Sequence, residues 1–482
     1  MVPTATRLPL GALVGTLACG GSSFGPPAST PRIDYVDGAI EPLLVRGQMV
    51  VIEGFGFGDT QGTGMVGFAR VGGGVTVATV TAGGWSDHIV RAVVPDSATS
   101  GPLTVTPAIG RGLSATVHVL PRVTFDPATL TWQARTAFPR APAGVALVAG
   151  SEPAGGVLRV TLYAAGGAEP LGGSGDSAMV PDSAVFVARA APSGPIGQWS
   201  RPRDLPTRRA FATAVLANRY NSRFDGRALY VIGGIDSSGR ARATVYQALL
   251  AVDTALAVFT PIEPLPTPVA GAVAVVRRGR IYVMGGTDSL GHPQLHVYVG
   301  RIGVDGHIDG WYTQPALPGP RAYGGGAVFD SRVAVFGGIA DSAPTGGGLD
   351  VALARLATSD TARVSLASGF FTAPWAAAGP LLPEGRSQFA TLSLGDVTLV
   401  VGGVYGGAPG NSAETMAAVV AGDSLGAFTG PVGANTIAGQ GGGTLVGPAG
   451  ASWLDADGSH HGIIVGGIDL VTRLRRDGVW GF

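Results

Sequence analysis

The sequence predicts an all-β protein in two unlike parts: a small antiparallel sandwich, then six repeats of one sheet module. Three observations predict it. Glycine (79 residues) and proline (35) are abundant without a Gly-X-Y period, among many Val, Ala and Thr, which reads as short strands and tight turns. Between residues 49 and 119, apolar and polar residues alternate in short runs. From residue 162 onward, an apolar strand ending in a glycine pair recurs six times.

At 482 residues, 45% of them hydrophobic, the chain is long enough for more than one core. Its formal net charge is zero and 13% of its residues are charged. No long-range field then draws it to nucleic acid or to an anionic membrane surface, and a nucleic-acid partner is excluded from the reading. The basic residues are all arginine. Without lysine there is no Schiff-base chemistry, no lysine general base and no phosphate-loop lysine.

Arg7 precedes an apolar run, residues 8–18, that is too short to span a bilayer but suits a signal-peptide core. The only cysteine, Cys19, follows directly. Thr16-Leu17-Ala18-Cys19 resembles the lipobox of bacterial lipoproteins, with Thr16 where Leu is usual. The resemblance implies cleavage after residue 18, acylation of Cys19, and a cell-envelope lipoprotein, periplasmic or on the cell surface. Membrane contact would then run through the lipid anchor alone. An ordinary secretory signal, and so a secreted protein, is the alternative. Residues 20–30 form a Gly/Ser/Pro tether. One cysteine excludes a disulfide within the chain.

Residues 31–120 form the first domain. The runs 49–54, 65–69, 75–80, 88–94, 103–106 and 115–119 read as strands of a small antiparallel sandwich. Pro31-Arg32-Ile33, the stretch from Val51 to Gly58, Trp85-Ser86-Asp87-His88-Ile89 and Val93-Val94-Pro95 resemble an IPT/TIG domain, an immunoglobulin-like module. The resemblance implies that Phe55 and Phe57 pack inward while Gly54, Gly56 and Gly58 permit tight turning. It also implies an architectural role as a spacer. His88 and His118 are read as plain strand residues.

The glycine pairs are Gly166-Gly167, Gly233-Gly234, Gly285-Gly286, Gly337-Gly338, Gly402-Gly403 and Gly466-Gly467, spaced 52 to 67 residues apart. Upstream of several lies a Leu-Pro turn and a small-residue strand. Downstream comes an aromatic: Trp199, Phe259, Trp311, Trp375 or Phe428. These features resemble the kelch family, whose repeat is roughly 50 residues. The resemblance implies a six-bladed kelch-type β-propeller over residues 122–482, with extra length in loops such as 168–182 and 341–350. Trp132 and Trp480 leave one aromatic too many, so a terminal strand must complete the last blade. Residues 130–135 are expected there, with 479–482 nearly as good a candidate.

Three residues past each Leu-Pro proline stand Arg209, Val269, Arg321 and Arg386; two further on stand Phe211, Gly271, Tyr323 and Gln388. Equivalent positions in a propeller form a ring, and the family's inner strand starts here. Arg209, Arg321, Tyr323, Arg386 and Gln388 are therefore candidate ligand-binding residues at the channel mouth, joined by Arg140 and Gln440 from the first and last blades. Arginine forks suit carboxylate or sulfate. The alternative is that each arginine caps carbonyls or pairs with an Asp between blades.

No Ser-His-Asp, Cys-His or paired-carboxylate arrangement stands out, and His292/His296 and His460-His461 lack a defensible metal spacing. Copper chemistry of the galactose-oxidase type needs a Cys beside a Tyr, and the sole cysteine is in the leader. The reading is a non-enzymatic binding or adaptor protein without cofactor, offering the propeller to a glycan, peptide or protein. An enzyme acting on an acidic sugar, like the sialic-acid epimerase type of kelch protein, is one alternative; a structural surface component is another.

Overall fold

The structure, a computed structural model, describes residues 30–140, 142–170, 179–191, 194–251, 256–329, 331–341, 355–365, 368–405, 414–421, 423–437, 445–468 and 477–482. Cys19, with the whole leader, and Gln440 lie outside the described residues.

The first part is a two-sheet, immunoglobulin-like sandwich. One sheet runs Arg32–Val36, Met49–Phe55, Ile89–Val93, Thr79–Trp85; the other runs Leu43–Val45, Leu113–Leu120, Ala98–Thr106, Met65–Arg70, Val75–Val77. Arg32–Val36 and Leu43–Val45 were not among the expected strands. The run 75–80 divides at buried Ala78, and the chain there passes from one sheet to the other. Val50, Ile52, Val66, Phe68, Val90 and Leu103 alternate inward to form the core. Phe57 is fully buried and its carbonyl accepts from Trp85 Nε1 at 3.0 Å. Phe55 is only half-buried, packed on the His88 ring at 5.3 Å.

The second part is a β-propeller whose described residues form six blades. Blade 1 runs outward through Ala146–Ala154, Val157–Ala165, Met179–Ala190 and Ser200–Arg209. The inner strands of the next four are Thr213–Asn218, Val273–Arg277, Gly325–Val328 and Ala390–Leu394. Blade 6 uses Ala449–Leu454, His460–Val465 and Val479–Gly481, and its outermost strand is Gln133–Ala134 from the start of the domain. Both candidate terminal segments therefore belong to the last blade, and the earlier one closes the ring. Closure leaves no free edge between blades.

The aromatics sit beside an outermost strand or, for Trp311, within it, and reach the preceding blade. Phe259 packs against Tyr163 and Val185, Trp375 against Tyr282 and Val299, Phe428 against Phe336, and Trp132 against Leu399. Trp132 is the sixth of the set, whereas Trp480 lies on a third strand.

The sandwich is packed on the propeller, on the hairpins that join first to second strands. Its carboxylates meet the propeller's arginines: Asp37 with Arg278 (2.7 Å) and Arg277 (3.4 Å), Glu41 with Arg219 (3.1 Å), Glu53 with Arg223 (2.5 Å). The spacer expected from the sequence is thus docked on the domain it precedes. Two tight turns meet tip to tip. Asp37-Gly38 and Arg278-Gly279 all have positive φ, and a Cβ on Gly38 would stand 2.7 Å from Arg278 Cβ. Gly38→Ala is therefore expected to weaken docking by about 1–3 kcal/mol through overpacking at a left-handed position. Limited proteolysis of the linker at residues 121–126 checks it: faster cleavage with both domains intact is expected, and unchanged cleavage would refute tip-to-tip packing.

Candidate binding site at the channel mouth

The six inner strands surround an axial channel of about 530 Å³. At one end a single backbone pattern closes it. Phe211 N–H donates to Gly144 O, Gly271 to Phe211, Tyr323 to Gly271, Gln388 to Tyr323 and Gly447 to Gln388, each at 2.8 Å, and Gly144 to Gly447 at 3.0 Å. The ring of donors and acceptors is complete. All six residues have φ between 53° and 68°. Glycine takes that region without penalty, but Phe211, Tyr323 and Gln388 hold it because both neighbours in the ring over-determine the backbone.

Glycines and large side chains share this mouth. The Phe211 ring lies over Gly144 and the Tyr323 ring over Gly271; a Cβ on either glycine would collide with them. The two rings meet edge to face at 5.4 Å. Burial pushes the Tyr323 phenol up to about 12, partly offset by its hydrogen bond with Thr287. Gln388 contributes a buried Oε1 that makes no hydrogen bond among the described residues.

The arginines stand at equivalent positions but turn elsewhere. The second glycine of each pair donates its N–H to the carbonyl of a residue leading into the next blade's inner strand: Gly167 to Arg209 O, Gly234 to Val269, Gly286 to Arg321, Gly338 to Arg386, Gly403 to Leu445 and Gly467 to Pro142. A Cβ on the first glycine would strike the same carbonyl in the five pairs other than Gly402-Gly403. The arginines' backbones thus stitch blade to blade, and their side chains enter their own blades. Arg321 donates to Gly337 O, Thr358 O (3.2 Å) and Asp360 (2.9 Å). Arg386 donates to Gly402 O (2.8 Å), lies 3.6 Å from Glu414 and stacks on Tyr405. Arg209 lies over the Tyr246 ring and donates to its hydroxyl. Burial lowers the pKa of all three, opposed by these partners.

The structure therefore brings Tyr323 and Gln388 to the channel mouth and does not bring Arg209, Arg321 or Arg386 there. Partners within the blade capture each fork before it can reach the axis, on the third strand for Arg209 (Tyr246) and Arg321 (Thr358, Asp360) and around the end of the second strand for Arg386 (Gly402, Tyr405). Arg140 pairs with Glu169 (2.9 Å) and Asp182 (3.0 Å), and the equivalent positions of the first and last blades are Pro142 and Leu445. Gly144 and Gly447 escaped the alignment because no Leu-Pro turn precedes them. Pro142-Ala143-Gly144, Val269-Ala270-Gly271 and Leu445-Val446-Gly447 share a pattern that would have found them.

Fold and site define a six-bladed kelch-type β-propeller preceded by an immunoglobulin-like sandwich. No family model matches the chain. Part of it is similar to beta-scruin of Limulus polyphemus, 30% identical over 145 residues, and to alpha-scruin of the same organism, 27% over 143. These stretches are 30% and 29% of this chain and 14% of either relative's length. The likeness supports a kelch-repeat family.

Proposed function

We propose that this chain is a non-enzymatic binding protein of the cell envelope, held by a lipid on Cys19, whose propeller offers its ring face to a protein or peptide partner or a glycan. The sandwich, in this reading an IPT/TIG module, supports the propeller from the opposite face. The scruin likeness is in keeping with a propeller for protein interaction. One observation carries the choice of binding over acidic-sugar chemistry: among the described residues lining the channel and its mouth, none is charged. An acidic guest finds no counter-charge there, while Phe211, Tyr323 and Gln388 offer aromatic edges and an amide.

The mature protein, run on glycan and peptide arrays beside a sugar-epimerase assay, is expected to bind saturably without turnover. Turnover would overturn the reading. Tyr323→Gly and Gln388→Gly suit the backbone, since three ring positions are already glycine, and together should weaken the bound partner about tenfold or more. Equal affinity in a folded double variant would place binding elsewhere.

A further inference from the structure

At the other end of the channel, the docked sandwich encloses a second cavity of about 410 Å³. Its walls are the sandwich turn at residues 45–48, the linker at 121–123 and the first hairpins of blades 3 to 6; Val328 lines both cavity and channel. Unlike the channel, this cleft is charged. Arg46, Arg122, Arg277 and His460 line it, with Asp396 as the one acid. Arg122 pairs with Asp396 at 2.7 Å and Arg277 with Asp37 at 3.4 Å. Arg46 is held differently. Its Nε donates to Ala98 O at 2.9 Å, which fixes the guanidinium plane, and its two Nη nitrogens make no hydrogen bond to described residues. His460 Nε2 donates to Val123 O at 2.7 Å, leaving a buried Nδ1 without a partner among the described residues.

We infer that this interdomain cleft is a binding site for a small oxoanion-bearing ligand, a carboxylate or a phosphate, held on the Arg46 fork. A preoriented guanidinium with two open donors matches two anionic oxygens side by side. Arg122 and Arg277 each face an acid, Asp396 and Asp37, so the charge of Arg46 is left uncancelled between the low-dielectric walls of two domains. Clefts between domains are also where ligand sites concentrate. The site lies at the channel end away from the ring and stands independently of the function proposed for the mouth.

Calorimetric titration of the mature protein with citrate and with inorganic phosphate tests this. Saturable binding of at least one anion is expected, and which one binds identifies the source. Arg46→Gln should weaken it about tenfold or more, the scale of a lost charge-assisted pair of hydrogen bonds. Asp396→Asn should strengthen it, because it removes the one carboxylate among the lining residues, and this variant keeps the inference falsifiable if Arg46→Gln unfolds. Absence of binding by both anions, or equal affinity in wild type and a folded Arg46→Gln protein, would overturn it.

Discussion

Trp132→Ala is expected to destabilise the propeller more than truncation of any other interblade aromatic. Trp132 heads the largest fully buried side chains, packed between blades 5 and 6. Its Nε1 donates to Thr415 Oγ1 at 2.9 Å, and Phe482 meets its ring edge-on at 5.1 Å. Asn435 clasps its backbone from both sides, accepting from Trp132 N at 2.7 Å and donating to Trp132 O at 2.8 Å. Removing a buried Trp costs about 3–5 kcal/mol through lost transfer energy and the cavity left behind. Here the loss falls on the segment that closes the ring, so Gln133–Ala134 loses its anchor and Val479–Gly481 becomes an open edge. Urea denaturation should show a lower midpoint with an unchanged slope, plus aggregation near the transition. Trp311→Ala, at a half-buried wedge, is the control and should lose less. A Trp132→Ala protein within about 1 kcal/mol of wild type would mean that closure does not depend on this residue.

The glycine pairs were legible because their task is local and steric. Each pair ends a second strand where a carbonyl leading into the next blade arrives, and in five of the six only a first residue without Cβ admits it. Counting from the Leu-Pro turns likewise found the ring register, for Phe211, Gly271, Tyr323 and Gln388 are four of its six members. The direction of the arginine side chains was not legible. Register places a Cα, but the fork of Arg321 is decided by Thr358 and Asp360, which arrive 37 and 39 residues later on the third strand. The docking of the sandwich was hidden for a related reason. Asp37, Glu41 and Glu53 are scattered acids in sequence, and Asp37-Gly38 and Arg278-Gly279 look like ordinary hairpin tips until the two parts meet.

Arg321→Ala is expected to act on stability and not on binding at the mouth, which separates the two roles open to this residue. Arg321 and Asp360 are both buried, 2.9 Å apart, and the same fork donates to Gly337 O and Thr358 O. Truncation leaves a buried carboxylate uncompensated, a loss of about 3–5 kcal/mol for a buried pair broken from one side. Replacing both partners removes the stranded charge. Arg321→Met/Asp360→Leu should therefore recover at least half of the deficit, the remainder reflecting the carbonyls that still lack a donor. The cycle of Arg321→Met, Asp360→Leu and the double variant, read by urea denaturation, measures the coupling between the two partners. Partner affinity should match wild type in the double variant, since the mouth is built from Phe211, Tyr323 and Gln388. A single variant as stable as wild type but unable to bind would reverse the assignment, returning Arg321 to the channel as a ligand-holding residue.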